Sequence, residues 1–388
     1  MRFKILTLND ISVAGLQNLP REYYEVASEI VHPDAILLRS HDLHDLEIPD
    51  TLRAVARAGA GVNNVPVERL TERGIPVFNA PGANANAVKE LVVAGMLLAA
   101  RNICPAWAYV RALEGDSAEI KRAVEAGKKQ FVGYELPRRV LGVVGLGAIG
   151  VEVANAALNL GMRVIGFDPG MTVERAWQLS ASVEQATSLD DLLARCDMVS
   201  LHVPLIAKTR GLMTAERVGL MRQGGVLLNF SRAEIVDEQG VLEALDRSHL
   251  SSYVCDFPST GIKDHPKVVA LPHLGASTLE AEDNCAVMVV ENMREYLENG
   301  NIRHSVNFPQ AVMPRAGSSR LTVANRNVPN MVGQVSTCLA NSGLNILDML
   351  NQSRGDVAYT LIDLDREVPE ETYQQIANID GVLAARVI

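Results

Sequence analysis

Short apolar, β-branched segments alternate with amphipathic helical segments through about the first 300 residues of the chain. The first predicted strands lie within FKILTLN (3–9), AILLRS (35–40), RAVARAG (53–59) and PVFNAP (76–81). From residue 138 a tighter series follows, with strands predicted in RRVLGVVGLG, RVIGFD, MVSLHV, GGVLLNF, SSYVCDF and KVVALPH. Strands that alternate with helices indicate parallel sheets with right-handed crossover connections. The sequence therefore predicts an α/β protein with two doubly wound parallel-sheet domains.

The end of the chain has a different pattern. The segment SVNFPQAVMPRAGSSR (305–320) is rich in Pro, Gly and Ser, which is typical of a linker. The remaining residues order as strand, helix, strand, strand, helix, strand: RLTVANRN, MVGQVSTCLANSG, LNILDMLNQ, VAYTLIDLD, EETYQQIAN and VLAARVI. This βαββαβ tail has its own apolar content, so we expect a small independent domain.

Composition narrows the classes of partner. The 388 residues, 48% of them hydrophobic, suffice for two or three domains, and 36 basic against 46 acidic residues give a net charge of −10. That balance argues against nucleic acid. The longest apolar run, LVVAGMLLAA (91–100), is half of the roughly 20 residues that a membrane span needs. Five scattered cysteines without a C-x-x-C pair favour a reducing compartment and no metal site. With no signal-peptide pattern at MRFKILTLND, we expect a cytoplasmic protein without a membrane partner.

A glycine-rich turn between a predicted strand and a predicted helix carries the clearest chemical signal. Gly145, Gly147 and Gly150 have G-x-G-x-x-G spacing, and the next strand ends at Asp168. The first glycine permits the tight turn, the second admits a pyrophosphate at the helix N-terminus, and the third lets the helix approach the sheet. Asp168 would accept hydrogen bonds from a ribose diol and repel a 2′-phosphate, so NAD is favoured over NADP. The alternative is an ordinary glycine-rich turn.

Polar residues after two later strands are candidates for catalysis, because ligands gather at the carboxyl ends of parallel strands. Ser231 and Arg232 follow LLNF, and His273 lies in LPHLGAST with backbone donors expected at Leu274 and Gly275. A guanidinium can bind a carboxylate with two hydrogen bonds, and an imidazole suits proton transfer near neutral pH. Taken alone, the arginine fits an ion pair with a nearby surface acid equally well, and a lone histidine is more often a packed or solvated residue than a catalyst. Together with a dinucleotide they indicate oxidation of a 2-hydroxy acid.

Glycine- and asparagine-rich turns near the N-terminus are candidates for binding the substrate. The backbone amides of Gly61 and Val62, in VARAGAGVNNVPV, could receive a carboxylate. Arg57 or Arg39, each at the end of a predicted strand, could hold a second anionic group. The alternative is that glycine and asparagine only shape these loops.

The ordered stretches RAGAGVNNVPVERLTERGIPVFNAPGANANAVKELV, LGVVGLGAIG, HVPL, LLNFSR…IVDE and PHLGAST resemble the D-2-hydroxyacid dehydrogenases over essentially the whole chain. The resemblance implies a split substrate-binding domain (1–96 and 275–308), a Rossmann NAD-binding domain (97–274), a linker (309–320) and a regulatory ACT domain (321–388). It also implies NAD contacts along the glycine turn and at the strand ends: Ala60, Gly145, Gly147, Ala148, Ile149, Gly150, Asp168, Val203, Pro204, Phe230, Ser231, Arg232, Asp256, His273, Leu274, Gly275 and Ala276.

The resemblance further implies a substrate and a regulator. With Arg57 as a phosphate partner and an ACT-like tail, 3-phosphoglycerate is the first expected substrate. Another 2-keto acid, such as hydroxypyruvate or 2-oxoglutarate, and a catalytically weakened NAD-binding regulator remain alternatives. Asn325, Asn327 and Asn345 match ligand-contacting positions of ACT domains that bind serine or another amino acid. A homodimer or homotetramer is expected.

One departure from the family concerns the partner of the histidine. In the family, a glutamate five residues after the aspartate matching Asp256 pairs with the catalytic histidine, and that position is Gly261 here, in CDFPSTGIKDHP. A carboxylate partner orients the ring and favours its charged form. Asp264 is a possible substitute if the loop folds back, and Thr260 or a water are weaker ones.

Overall fold

The computed structural model describes residues 2–388, which form two compact units. Unit 1 comprises Met1–Asn84 and Leu279–Ile388, and unit 2 comprises Ala85–Thr278. The described residues contain two parallel sheets and one antiparallel sheet. The predicted α/β class is confirmed.

The N-terminal part of unit 1 is a five-stranded parallel sheet in the order β2-β1-β3-β4-β5. Its elements are β1 (Phe3–Leu8), α1 (Val13–Leu16), β2 (Tyr24–Ala27), β3 (Ala35–Leu38), β4 (Ala54–Arg57), α2 (Val67–Glu72) and β5 (Val77–Phe78). All four residues of β3 are buried, as expected for a central strand covered on both faces. The edge strand β2 was not predicted, because its sequence YEVA is short and half polar.

Unit 2 is a seven-stranded sheet in the order β12-β11-β10-β9-β6-β7-β8, with every neighbouring pair parallel. Its helices are α3 (Ala85–Ala100), α4 (Ile103–Arg111), α5 (Ser117–Gly127), α6 (Ala148–Asn159), α7 (Val173–Gln178), α8 (Leu189–Arg195), α9 (Ala215–Leu220) and α10 (Glu238–Asp246). Its strands are β6 (Val140–Val144), β7 (Arg163–Phe167), β8 (Glu184–Gln185), β9 (Met198–Leu201), β10 (Gly225–Asn229), β11 (Leu250–Cys255) and β12 (Val268–Ala270). The six strands predicted from residue 138 onward are confirmed, and the strand order reverses at β6, where such sheets bind ligands.

Helix α3 sets the beginning of unit 2, and it lies across the boundary expected at residue 96. The helix packs closely on the sheet at Gly95, where a Cβ would meet Phe230 at 3.1 Å, Val254 at 3.2 Å and Leu228 at 3.3 Å. The whole helix therefore belongs to unit 2, which begins at Ala85. In residues 2–388 no single helix is long and apolar enough to span a membrane, and only the pair α3 and α4, bent by 67°, passes that test together.

The C-terminal part of unit 1 begins with a long helix and ends with a four-stranded antiparallel sheet in the order β14-β15-β13-β16. Its elements are α11 (Leu279–Asn299), β13 (Ser319–Arg326), α12 (Met331–Asn341), β14 (Ile346–Arg354), β15 (Val357–Leu364), α13 (Glu370–Ala377) and β16 (Val382–Val387). The predicted βαββαβ order is confirmed.

This C-terminal sheet shares a hydrophobic core with the N-terminal sheet. The ring of Tyr359 lies 6.5 Å from that of Tyr296 on α11 and 6.4 Å from that of Phe308, and its hydroxyl donates to the carbonyl of Gly300 at 2.7 Å. The guanidinium of Arg386 stacks over Tyr296 at 4.7 Å. The sheet is counted in unit 1, although it also has a hydrophobic core of its own. The division into a linker (309–320) and a separate domain (321–388) stays a prediction. The apolar face of β15 finds its partner in α11 rather than only in its own helices.

A buried ion pair fixes the contact between the C-terminal sheet and α11, which we call the joint. Arg320 and Asp363 both have fully buried side chains, and Nε and Nη2 of the arginine donate to the two carboxylate oxygens at 2.5 and 2.9 Å. The remaining donors bind the carbonyls of Asn299, Met313 and Pro314, each at 3.0 Å. A buried charge is stable only when it is paired and hydrogen-bonded, and this guanidinium is saturated. The segment predicted as a linker is thus held from both sides.

Candidate active site

The glycine turn after β6 has the geometry of a dinucleotide-binding loop. Gly145 has φ +90°, and a Cβ there would lie 2.5 Å from the carbonyl oxygen of His202, so only glycine fits. A Cβ on Gly150 would lie 1.9 Å from the carbonyl oxygen of Gly145, so α6 approaches the turn as closely as backbone allows. Gly147, by contrast, has no heavy atom within 4 Å of a built Cβ. The turn is therefore tight on the protein side and open on the other.

The N-terminus of α6 fits a pyrophosphate. Gly147 is the N-cap residue and provides no side-chain cap, and Ala148 and Ile149 are half-buried in the first turn. The N–H groups at the start of a helix lack intrahelical acceptors and carry the positive end of the helix dipole. An open, uncapped N-terminus at a glycine turn is what a dinucleotide phosphate requires.

Asp168 lies at the end of β7, beside the same turn. Its Oδ2 accepts the N–H of Leu146 at 2.8 Å, and its Oδ1 accepts the N–H of Gly170 at 2.7 Å. These bonds fix the carboxylate while leaving it half-buried. Its negative charge favours a ribose diol over a 2′-phosphate, in agreement with the prediction of NAD.

The residues after β9 and β10 are held by short contacts. Val203 is half-buried, and its Cγ1 would lie 2.9 Å from a Cβ on Gly145, while Pro204 is exposed. Phe230 is 6% exposed and packs in the core of unit 2, so only its backbone is available to a ligand. The Ser231 hydroxyl donates to the carbonyl of Leu201 at 2.6 Å, which ties the two strand ends together.

Arg232 begins the segment between β10 and α10 and is half-buried. Its carbonyl accepts from Asn229 Nδ2 at 2.9 Å, which fixes the backbone. Its Nη1 donates to the Ser231 carbonyl at 2.6 Å, and no carboxylate of the described residues of unit 2 pairs with it. The surface ion pair considered as the alternative is therefore not formed, and most of the guanidinium donors remain available.

His273 is exposed after β12 and has φ +56°, the left-handed region that non-glycine residues rarely adopt. Its N–H donates to the carbonyls of Asp256 at 3.1 Å and Leu271 at 3.0 Å. Its ring packs against Phe257 with centroids 5.1 Å apart. Within the described residues of unit 2 the imidazole has no hydrogen-bond partner, so its nitrogens are free for proton transfer.

Asp256 shapes the loop that follows the histidine. Its two oxygens accept the N–H groups of Leu274 and Gly275, both at 2.7 Å. Burial raises the pKa of Asp256, although these two hydrogen bonds act in the opposite direction. The sequence predicted Leu274 and Gly275 as backbone donors to a ligand, and that prediction is wrong for their amides because Asp256 uses both. Ala276, next in the loop, is half-buried.

The candidate partners of His273 lie apart from it. Asp264 pairs with the adjacent Lys263, and its side chain is 80% exposed. It therefore does not serve as the carboxylate partner of His273 in this structure. Thr260 and Gly261 are exposed. A carboxylate that the sequence pattern did not identify, Glu238 at the start of α10, lies against Gly261 instead.

Two other histidines near strand ends are accounted for structurally. His202 accepts or donates a hydrogen bond of 2.8 Å between its Nε2 and the Ser200 hydroxyl, and burial lowers its pKa to about 3. It is therefore neutral at physiological pH and does not exchange protons there. His265 pairs with Asp246 at 3.3 Å. His273 remains the candidate proton carrier of unit 2.

In unit 1, the two candidate anion-binding arginines differ. Arg39 forms an ion pair of 2.8 Å with Glu282 and is already neutralised. Arg57, at the end of β4, folds over its own loop, where a Cβ on Gly59 would lie 2.0 Å from Nη1. Glycine at this position makes room for the guanidinium.

The turn after β4 presents backbone donors. Gly61 and Val62 are half-buried, and in the described residues of unit 1 their N–H groups donate to no protein acceptor. Ala60 is exposed, and its carbonyl accepts from Asn79 Nδ2 at 2.6 Å, which braces the turn. Two unpaired neighbouring amides suit a carboxylate.

The three candidate regulatory asparagines make local contacts in the C-terminal sheet. Asn325 is buried, and its amide donates to the Arg326 carbonyl at 2.7 Å. Asn327 donates to the Gly355 carbonyl at 3.0 Å. Asn345 is exposed, and its backbone N–H donates to Asp365 at 3.0 Å.

Comparison with known proteins agrees with this geometry. Residues 93–275 match the family model of the D-isomer specific 2-hydroxyacid dehydrogenase NAD-binding domain. The D-3-phosphoglycerate dehydrogenase of Haemophilus influenzae is 30% identical over 98% of this chain and 94% of its own length, and that of Escherichia coli is 32% identical over 90% and 85%. The NAD⁺-bound 3-phosphoglycerate dehydrogenase of Entamoeba histolytica has the same fold, with a TM-score of 0.62 at 24% identity over 79% of this chain and 99% of that one.

The chain belongs to the D-isomer specific 2-hydroxyacid dehydrogenases, a family of NAD-dependent oxidoreductases. Within that family, the two relatives named above from Haemophilus influenzae and Escherichia coli are D-3-phosphoglycerate dehydrogenases.

Proposed function

We propose that this protein oxidises 3-phosphoglycerate to 3-phosphohydroxypyruvate with NAD⁺, the first step of serine biosynthesis. The observation that carries the proposal is that an exposed, unpartnered His273 and a half-buried Arg232 follow strands of one sheet, in a chain that a D-3-phosphoglycerate dehydrogenase matches over 98% of its length. Both residues follow strands of the same parallel sheet, β12 and β10, with only β11 between them. Adjacent strands are about 4.8 Å apart, so the two strand ends are about 10 Å apart, a span suited to a three-carbon acid.

Each residue then has a defined role. In unit 2, Arg232 binds the substrate carboxylate and His273 takes the proton of the C2 hydroxyl. In unit 1, the amides of Gly61 and Val62 are proposed as donors to a carboxylate. Bound NAD⁺ supplies the hydride acceptor. Because Arg232 carries a permanent positive charge, it also stabilises the carboxylate beside the developing carbonyl.

We assign the dinucleotide to the turn between β6 and α6. Gly147 and the uncapped start of α6 hold the pyrophosphate, and Asp168 holds the adenosine ribose. We also propose that the other residues named as NAD contacts from the family resemblance bind the cofactor through backbone and apolar groups at the strand ends. Leu274 contributes only through its carbonyl and side chain and Gly275 only through its carbonyl, because Asp256 binds their amides.

Arg57 is the proposed partner of the substrate phosphate. Its replacement by alanine should raise KM for 3-phosphoglycerate at least tenfold, a loss of about 1.4 kcal/mol or more, typical of a charge-assisted hydrogen bond. Reduction of unphosphorylated hydroxypyruvate should change by less than about threefold. If Arg57→Ala weakens the use of both substrates equally, Arg57 does not bind the substrate phosphate.

The test of the main proposal is NADH formation from 3-phosphoglycerate between pH 6 and 10, with the product trapped. Turnover that depends on His273 and Arg232 is the expected result. Absence of turnover while NADH binds would contradict the proposal. Reduction of hydroxypyruvate or 2-oxoglutarate would then indicate a keto-acid reductase, and inactivity on all of these would indicate a nucleotide-binding regulator.

We further propose that residues 321–388 form an ACT-type regulatory domain that binds serine or another amino acid near Asn325, Asn327 and Asn345. The βαββαβ order supports this assignment. Calorimetric binding of serine, lost in Asn345→Ala, is expected; no heat and unchanged turnover at millimolar serine would refute it. A cytoplasmic homodimer or homotetramer is proposed as the functional assembly, to be checked by light scattering.

A further inference from the structure

The carboxylate of Glu238 occupies the space beside Gly261. A Cβ built on Gly261 would lie 2.6 Å from Glu238 Oε1, closer than unbonded atoms approach. The second oxygen, Oε2, accepts a hydrogen bond of 2.7 Å from the Ser259 hydroxyl, and Ser259 Oγ accepts the N–H of Gly261 at 3.2 Å. Glu238 is therefore fixed against residues 259–261, at the position where the expected carboxylate partner of His273 is missing.

This segment leads directly to the candidate proton carrier. Strands β11 and β12 pair up to Cys255 and Ala270, so the turns after them leave the same edge of the sheet. His273 N–H donates to the Asp256 carbonyl, and the Phe257 ring packs on the imidazole. Residues 256–261 thus run from the side of His273 to the carboxylate of Glu238.

The other acidic groups of this region are already engaged. Asp256 binds two loop amides, Asp264 pairs with Lys263, and Asp237 caps α10 by accepting the N–H of Gly240. Glu238 is half-buried, and its Oε1 accepts no hydrogen bond from the described residues of unit 2. One negatively charged oxygen therefore remains available beside the turn.

The remaining titratable neighbours of Glu238 are uncharged at neutral pH. Burial raises the pKa of Tyr253, and burial likewise raises the pKa of Cys255. The basic group nearest in sequence, Arg232, directs its Nη1 to the Ser231 carbonyl. The charge of Asp256 also interacts with that of His273, but both Asp256 oxygens already accept the N–H groups of the following loop.

We propose that Glu238 is the positioning residue for His273, and that it supplies from α10 the carboxylate absent at residue 261. The inference rests on the proposed role of His273 as the base. A negative charge beside the ring stabilises the imidazolium that forms when His273 takes the hydroxyl proton. Ser259 holds the carboxylate in place, in the way that outer hydrogen bonds orient the partner of a functional histidine.

The first variant to test is Glu238→Gln, which keeps the acceptor for Ser259 and the volume but removes the charge. We expect kcat to fall about tenfold, and the acid limb of the kcat/KM profile to move about one unit toward lower pH. The direction follows because a base that has lost its anionic partner releases its proton more readily. The matched control is Glu243→Gln on the exposed face of the same helix, which should change neither value.

A transplant of the carboxylate separates charge from structure. In the double variant Glu238→Ala with Gly261→Glu, the alanine makes room for the new side chain, and turnover should return to within about threefold of the parent. Glu238→Ala alone should stay at the low value. An unchanged profile in Glu238→Gln, or a folded double variant no more active than Glu238→Ala, would overturn the inference.

A readout without substrate distinguishes this inference from the proposed function. The ring protons of His273 are followed by NMR between pH 4 and 9, with the signal assigned by its loss in His273→Asn. The titration midpoint should be lower in Glu238→Gln than in the parent and restored in the double variant. Identical midpoints would refute the role of Glu238, even if 3-phosphoglycerate proves to be the substrate. A shifted midpoint would support it, even if another 2-hydroxy acid is.

Discussion

Two arginines show how differently the two regions of this molecule use the same side chain. Arg320, in the joint between the C-terminal sheet and α11, is fully buried and spends its donors on Asp363 and three backbone carbonyls. Arg232, at the strand ends of unit 2, is half-buried, and within the described residues of unit 2 its guanidinium makes one hydrogen bond, to the Ser231 carbonyl. A saturated guanidinium has no capacity left for a ligand, whereas the second one keeps most of it.

The same contrast holds for the carboxylates of the two regions. Asp363 is paired with a cation inside the protein, but Glu238 leaves one oxygen without a hydrogen bond. Buried polar groups whose hydrogen bonds are all formed belong to the folded framework, whereas polar groups with unused donors or acceptors near a cleft are candidates for binding or catalysis. Removal of the Arg320 guanidinium should therefore change stability without changing the pH profile of kcat/KM, and removal of the Glu238 charge should do the reverse.

The largest effect on stability is expected from Arg320→Ala. Removing the guanidinium leaves Asp363 buried and unpaired, which should cost about 3–5 kcal/mol in the free energy of unfolding measured with denaturant. Arg366→Ala, which removes an exposed pair with Asp365, is the control and should cost less than about 1 kcal/mol.

A double variant tests whether the pair itself is needed. Arg320→Met with Asp363→Leu removes both charges and should recover much of the loss, because apolar replacement of a buried ion pair is often neutral. If Arg320→Ala unfolds as easily as the control, the joint is not the stabilising element that its geometry indicates.

A smaller effect on the free energy of unfolding is expected from lowering the pH, through Asp363. Burial acts to raise the pKa of Asp363, but the hydrogen bonds and the charge of Arg320, with the N–H of Ala316, hold it below the usual value. A lowered pKa in the folded state adds stability above the unfolded value of about 4, and that stability is lost as the pH falls below it. Unfolding of the parent and of Asp363→Asn should therefore differ at pH 7 and converge below about pH 4.

At the strand ends, Asp256 should contribute to stability with the opposite pH dependence. Burial raises the pKa of Asp256, so its contribution is most favourable in acid and is lost as the pH rises through the folded value. Asp256→Asn should therefore not reproduce the convergence seen for Asp363→Asn. If the free energies of unfolding of the two variants depend on pH in the same way, the two carboxylates do not differ as we propose.

The glycines of the dinucleotide turn provide a comparison within one loop. Gly150→Ala would place a Cβ 1.9 Å from a backbone oxygen, and overpacking of this kind should cost about 2–3 kcal/mol. Gly147→Ala meets no atom within 4 Å and has an ordinary φ of −72°, so stability should change by less than about 0.5 kcal/mol. Its Cβ would nevertheless face the phosphate, and NADH should bind at least tenfold more weakly by fluorescence titration. Unchanged NADH affinity in Gly147→Ala would move the pyrophosphate elsewhere.

Local patterns in the sequence predicted the elements and the glycine turn, because periodicity and turn chemistry act over a few residues. They did not predict the joint, because Arg320 and Asp363 are 43 residues apart, and nothing near either residue marks it as buried. They also missed Glu238, which meets Ser259 across 21 residues. The family pattern directs attention to position 261 in the chain, but the structure supplies a carboxylate from a different helix.

The smallest effect is expected from Asp264→Asn, although the sequence places this carboxylate only three residues from Gly261. Asp264 pairs with Lys263, and its side chain is 80% exposed, so solvent screens its charge from the strand ends. Turnover and the acid limb of the kcat/KM profile should stay within about twofold and 0.2 units of the parent. A fall in turnover comparable to that of Glu238→Gln would mean that the loop folds back during catalysis. In that event Asp264, rather than Glu238, would be the carboxylate that serves His273.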